Sequence, residues 1–184
     1  MRVIAGSAKG TKLIAPNGTE TRPTVDRIKE TIFNIIAPMI YDSAFLDLFS
    51  GTGAIGIEAL SRGAKYAVFV ENNKDCIVIM SKNLDNAKFV DRAQIVNATC
   101  ESAIRNFTLQ NKKFDIIFLD PPYNKNCAEQ TIEAIMNGGI LNDEGLLIVE
   151  QATTEPKPIF NSLEIVKEKK YKTTSVYFLK KLDA

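Results

Sequence analysis

Residues 44–60 read Ala-Phe-Leu-Asp-Leu-Phe-Ser-Gly-Thr-Gly-Ala-Ile-Gly-Ile-Glu-Ala-Leu. The apolar run 44–49 predicts a buried strand. It passes directly into a loop whose Gly51, Gly53 and Gly56 match G-x-G-x-x-G, and then into a helix. Glycines there permit positive φ and let a ligand come close to the backbone at a helix N-terminus. A second strand-like run, Tyr66-Ala67-Val68-Phe69-Val70, closes on Glu71, 20 residues after Gly51. An acid at that distance is placed to accept hydrogen bonds from the ribose hydroxyls of an adenosine. Two cofactor classes share this geometry, a nicotinamide dinucleotide and S-adenosylmethionine. Asp47, four residues before Gly51, tends to repel a pyrophosphate and to attract an ammonium or sulfonium, so it favours the methyl donor.

The second informative stretch is Phe114-Asp115-Ile116-Ile117-Phe118-Leu119 followed by Asp120-Pro121-Pro122-Tyr123. A buried strand thereby delivers a carboxylate, two prolines and an aromatic ring to its carboxyl end. Proline fixes its own φ and has no N–H, which leaves the local carbonyls as acceptors beside the Asp120 carboxylate. That pairing suits a planar amine. Tyr123 offers a face on which a nucleobase can stack, an interaction worth roughly 1–3 kcal/mol. Read structurally, the same residues make only a proline turn after a strand.

The rest of the chain alternates between the two periods. A hairpin is expected at about 2–15 and a helix from Thr24 to about Ala37, where Val25, Ile28, Ile32, Ile35 and Ile36 recur at helical spacing. Five strands are expected near 44–49, 66–71, 93–97, 114–119 and 145–150, with helices notably at 54–62, 73–87 and 126–137. Two more strands, 163–170 and 173–180, lie too close for a crossover helix and predict an antiparallel hairpin. The expected fold is α/β, a mostly parallel, doubly wound, seven-stranded sheet with its ligand crevice at the carboxyl ends of the central strands. The 184 residues are expected to form a single domain, 1–184, with residues 1–22 as an amino-terminal extension.

Composition removes several chemistries. With no histidine, Ser-His and Cys-His catalysis and the commonest metal ligand are absent. Cys76, Cys100 and Cys127 form no C-x-x-C pair and are expected to be reduced, so no metal site is expected. No run of 18 apolar residues and no secretory h-region is present, which predicts a cytoplasmic protein without a membrane partner. Net charge is +1 but unevenly spread: residues 1–40 carry six Lys/Arg against three Asp/Glu, residues 41–156 ten against sixteen, and residues 157–184 seven against three. Basic ends on an acidic centre suggest termini that meet a polyanion. The tail lysines, among them Lys167, Lys169, Lys170 and Lys172, equally suit edge-strand protection.

Taken together, these motifs resemble the class I S-adenosylmethionine-dependent methyltransferases. In particular the chain is similar to the RsmD family, which methylates the 2-amino group of a guanine in small-subunit (16S) ribosomal RNA. The likeness covers nearly the whole chain: Arg2-Val3-Ile4-Ala5-Gly6 with Lys9-Gly10 and Lys12-Leu13, then 22–34 (Arg-Pro-Thr-Val-Asp-Arg-Ile-Lys-Glu-Thr-Ile-Phe-Asn), then 47–53 and 120–123. It implies a Rossmann-like fold with a small N-terminal β-hairpin extension contacting RNA. The implied cofactor residues are Asp47, Phe49, Ser50, Gly51, Thr52, Gly53, Glu71, Asn72, Asn97, Ala98 and Asp120. Asn97 and Ala98 stand where relatives often carry an acid at the adenine edge. Asp120, Pro121, Pro122 and Tyr123 are the implied catalytic group. Arg2, Lys9, Lys12, Arg22, Thr24 and Arg27 are the implied RNA-binding residues, with Lys29 among the basic residues considered. The expected partner is 16S ribosomal RNA, within an assembling or assembled small subunit, and the expected state is a monomer. The rival readings are a DNA or other nucleic-acid amine methyltransferase and a noncatalytic RNA-binding assembly factor.

Overall fold

The computed structural model describes residues 1–15, 23–122 and 127–182, and side chains from residue 26 onward in the first helix. The chain divides into two compact units, Met1–Ala98 and Thr99–Ala184.

The first unit holds helices α1 (Pro23–Ile35) and α2 (Ala37–Ile40), strand β1 (Ala44–Leu48), α3 (Ala54–Ser61), β2 (Tyr66–Glu71), α4 (Lys74–Ala87), a 3-10 turn at Val90–Arg92 and β3 (Ala93–Asn97). Its strands are parallel in the order β3-β2-β1, with Leu46 opposite Val68 and Glu71 opposite Asn97. Parallel neighbours need a crossover, and α3 and α4 supply it. β1 is buried along its whole length, which is why it reads as a continuous apolar run interrupted only by Asp47. α1 buries Ile28, Ile32 and Phe33 at helical spacing. Pro38, with no N–H to give, falls in the first turn of α2, and the single expected helix is broken before it.

The expected amino-terminal hairpin is a single antiparallel bridge, Arg2 to Lys12, closed by Val3 N–H to Thr11 O (3.0 Å) and Gly10 N–H to Val3 O (2.9 Å). The buried carboxylate of Glu58 on α3 holds it down. Glu58 accepts the N–H groups of Ile4 (2.8 Å) and Ala5 (3.0 Å), pairs with Arg62 at 2.8 Å and lies 3.3 Å from Lys29 Nζ. Lys29 also donates to Arg2 O at 2.8 Å and is 2% exposed. This corrects its inclusion among the RNA-binding residues: Lys29 belongs to a buried ion pair and presents no charge to a ligand.

The second unit holds α5 (Cys100–Leu109), β4 (Phe114–Leu119), α6 (Cys127–Gly138), β5 (Leu141–Ala152), β6 (Leu163–Lys170) and β7 (Thr174–Lys181). Its order is β4-β5-β7-β6, parallel between β4 and β5 and antiparallel thereafter. The expected terminal hairpin is therefore present, and the seven strands give the expected α/β class. β5 runs Leu141–Ala152, longer than the expected 145–150, because polar Asn142–Glu144 continue the strand past a register shift against β4. α5 is a helix not singled out from the sequence; Thr99 caps it through Ser102 N–H at 3.3 Å, and Ala103, Ile104 and Phe107 form its buried face.

Candidate active site

In the first unit the glycine loop is built by its neighbours. Asp47, 2% exposed, sends Oδ2 to the Gly56 N–H at 3.0 Å and so fixes the start of α3 with a negative charge beneath the loop. Ser50 Oγ donates to the Asp47 carbonyl (2.6 Å), and Ser50 N–H donates to Val70 O at 3.0 Å, tying the loop to β1 and β2. Gly53 takes φ 78°, and a Cβ on Gly56 would stand 2.3 Å from the Phe69 ring, so the third glycine lets α3 lie directly on β2. Phe49 also has positive φ, 60°, a conformation costing an L-residue of this bulk about 1–3 kcal/mol. Such strain persists only where surrounding bonds overdetermine it, and here it turns the chain from β1 into the loop. Asn83, fully buried on α4, donates to Thr52 O and exchanges two hydrogen bonds with the backbone of Ile14.

Glu71 is the centre of this half. Its Oε2 accepts the Gly51 N–H at 2.9 Å, and its Oε1 accepts those of Asn72 (2.9 Å) and Asn73 (2.8 Å). A carboxylate has about four acceptor directions, so three are taken and one remains for a ribose hydroxyl. The reading that gave both ribose hydroxyls to Glu71 exceeds this capacity unless a backbone donor is released. Asn97 is the register partner of Glu71, and Ala98 N–H donates to Glu71 O at 3.2 Å, which brings the expected adenine-edge residues beside the expected ribose acid. Gly51, at φ 53°, has nothing among the described residues within 4 Å of where a Cβ would stand, so these leave the loop's outer face open to a ligand. These residues fit S-adenosylmethionine: an acid with one free acceptor direction, an open glycine backbone, and a buried carboxylate where a dinucleotide would need to place phosphates.

Three of the expected RNA residues, Arg2, Lys9 and Arg27, line one open cavity of about 540 Å³ with Asp26 and Glu30. Lys12 is exposed on the bridged segment but does not line that cavity. Arg22 and the Thr24 side chain lie outside the described residues.

In the second unit β4 ends at Leu119, and Asp120, Pro121 and Pro122 follow it, with Pro121 buried and Pro122 exposed. Tyr123 lies outside the described residues. Asp120 is exposed at the strand end, while the protein surrounding its carboxyl disfavours the charged form and pushes it up to about 6. Glu150, on β5, is pushed further, to about 8, first by desolvation and then by the charge of Asp120. Glu58, Asn83 and Glu150 were not singled out from the sequence. Glu150 did carry a signal, since it closes an apolar run as Glu71 and Asp120 do. Among the described residues no group of three or more His, Cys, Asp or Glu is arranged to hold a metal, and no helix is long and apolar enough to cross a membrane.

The strand-loop-helix with its terminal acid, on an α/β scaffold of this order, defines the class as a Rossmann-like methyltransferase. The likeness to a solved structure bears this out: "Putative methyltransferase yhhF" from Escherichia coli superposes with a TM-score of 0.87 at 35% identity, covering 98% of this chain and 97% of that one. The chain belongs to the RsmD family, whose model, described as conserved hypothetical protein 95, matches residues 1–180. Ribosomal RNA small subunit methyltransferase D of Haemophilus influenzae is 38% identical over 171 residues, 92% of this chain and 88% of that protein. The enzyme of the same name from Escherichia coli strain K12 is 37% identical over 158 residues, 86% and 78% respectively.

Proposed function

We propose that the protein transfers a methyl group from S-adenosylmethionine to the exocyclic 2-amino group of a guanine in 16S ribosomal RNA, acting as a monomer on an assembling or assembled small subunit. When bound, S-adenosylmethionine supplies an electrophilic methyl group on a sulfonium centre. The observation that carries the reading is Asp120 at the mouth of β4, an accessible carboxyl with a raised pKa, followed by two residues without N–H groups. Guanine's amino nitrogen is a poor nucleophile because its lone pair is delocalised into the ring. Asp120 and the carbonyl near Pro121 accept its two N–H bonds and so orient the lone pair, which places charge where it helps and relies little on base strength. Asp120 takes the proton once the nitrogen is alkylated and has become acidic. Tyr123 stacks on the base after it has left its neighbours.

Asp47, Phe49, Ser50, Gly51, Thr52, Gly53, Glu71, Asn72, Asn97, Ala98 and Asp120 hold the cofactor in this reading, with one ribose hydroxyl on Glu71 Oε2. The concavity of Arg2, Lys9 and Arg27 meets RNA phosphates, and the names of the relatives point to ribosomal RNA as the polyanion. Labelled-methyl transfer tests the proposal: the label is expected on a guanine amino group of small-subunit RNA. Label on DNA would favour the DNA enzyme, and RNA binding without transfer would favour the assembly factor.

A further inference from the structure

Leu119 on β4 and Val149 on β5 are register partners in a parallel pair. Each is followed by an acid, Asp120 just past the end of β4 and Glu150 still within β5, so the two carboxyls leave neighbouring strands at the same level, and the charge of Asp120 acts on Glu150. On the other side of β5, Glu150 faces Val176 of β7. α6 turns Thr131, Ile132 and Ile135 inward and leaves its acids Glu129 and Glu133 exposed. Besides burial, the charge of Asp120 raises Glu150.

Two like charges at neighbouring strand ends make it costly to ionise both, and the half-buried Glu150, with less access to water than the exposed Asp120, is the one that keeps a proton near neutral pH. We infer that Glu150 is a positioning residue for Asp120: as the neutral, protonated member of the pair, it leaves Asp120 as the single charged acceptor for the target amine. The inference rests on the reading of Asp120 given above. The order of the two shifts agrees with it, since Glu150 lies above Asp120. When Glu150 ionises, a second negative charge at the same level repels the Asp120 carboxylate from its aim at the amine, and transfer falls. When Asp120 is protonated, the acceptor itself is lost. The proton leaving the alkylated nitrogen ends on Asp120 and then in bulk water, so the pair returns to one proton and one charge.

The test compares the parent with Glu150→Gln and Glu150→Leu. Infrared spectra of the free protein near pH 7 are expected to contain a carboxylic-acid carbonyl band that Glu150→Gln removes. This readout needs neither cofactor nor RNA. In methyl transfer at saturating cofactor, the parent's rate is expected to fall on both sides of an optimum between about pH 6 and 8. Glu150→Gln, which stays neutral and can still donate, is expected to keep the acid limb and lose the alkaline one, with kcat at pH 7 within about threefold of the parent. Glu150→Leu removes the donor and further desolvates Asp120; its acid limb is expected to move up and its kcat at pH 7 to fall about tenfold or more. A structural role would lower stability without moving either limb. A band that survives Glu150→Gln, or an alkaline limb unchanged in that variant, overturns the inference while leaving the activity itself standing. A parent that transfers no methyl group overturns both.

Discussion

The Glu71 carboxylate accepts the Gly51 N–H at 2.9 Å, so the acid at the end of β2 and the glycine loop after β1 are one hydrogen-bonded unit. Removing that side chain takes away a ribose acceptor and also frees the loop from β2. Glu71→Ala is expected to weaken S-adenosylmethionine binding by about 1.5–3 kcal/mol, the worth of a hydrogen bond to a charged group, or roughly tenfold to a hundredfold. Glu71→Gln, which keeps one acceptor oxygen, is expected to fall between the two. Calorimetry checks both, and unchanged affinity in the alanine variant would remove Glu71 from the cofactor site.

Glu58 is fully buried and gathers Lys29, Arg62 and the N–H groups of Ile4 and Ala5. Glu58→Ala leaves a buried ammonium without its partner, which costs about 3–5 kcal/mol. Thermal unfolding should show that loss. Hydrogen exchange at Ile4 and Ala5 should quicken by more than exchange in β2, since the amino-terminal segment loses its anchor as well as the general stability.

The carboxyl pair gives stability a definite pH dependence. Asp120 is raised from 3.8 to about 6 and Glu150 from 4.5 to about 8. A carboxyl raised on folding binds its proton more tightly in the native state, so its contribution is fully present below the unfolded value and is lost as pH rises through the folded one. The parent is therefore expected to lose stability between about pH 4 and 8, and the double variant Asp120→Asn with Glu150→Gln should lack that component. Denaturant unfolding at several pH values decides it; equal slopes in parent and double variant would contradict the raised carboxyls of Asp120 and Glu150.

Replacing Arg2, Lys9 and Arg27 together by Ala should weaken RNA binding and flatten its dependence on salt, by about 0.7–0.9 in logarithmic slope for each phosphate that is no longer neutralised. Cofactor affinity should be unaltered. An unchanged salt slope would show that the basic concavity does not touch phosphate.

Much of this was legible from the residues. β1, β2 and β4 are buried runs that carry or meet an acid at their carboxyl ends, and their bounds follow closely from that pattern, because a strand covered on both faces has no polar alternation to blur it. The terminal hairpin was legible from the short gap between β6 and β7. What local pattern could not give was long-range satisfaction. Glu58 and Asn83 look like ordinary helical polar residues, yet each binds backbone more than 50 residues away. Lys29 looks like a free cation for the same reason: its carboxylate is distant in sequence. Glu150 needed the β4–β5 register before its place at the level of Asp120 could be seen.

The central claim is that Asp120 orients a guanine amine for methylation, and its most direct test is transfer of labelled methyl to small-subunit ribosomal RNA or its assembled particle at saturating S-adenosylmethionine, with the modified nucleoside mapped by mass spectrometry. The parent is expected to place one methyl on the 2-amino group of a guanine. Asp120→Ala should lose most of that transfer, at least about a hundredfold, while its circular dichroism and thermal transition remain those of a folded protein. Full activity in Asp120→Ala, or a methyl group found on any atom other than that exocyclic nitrogen, would contradict the claim.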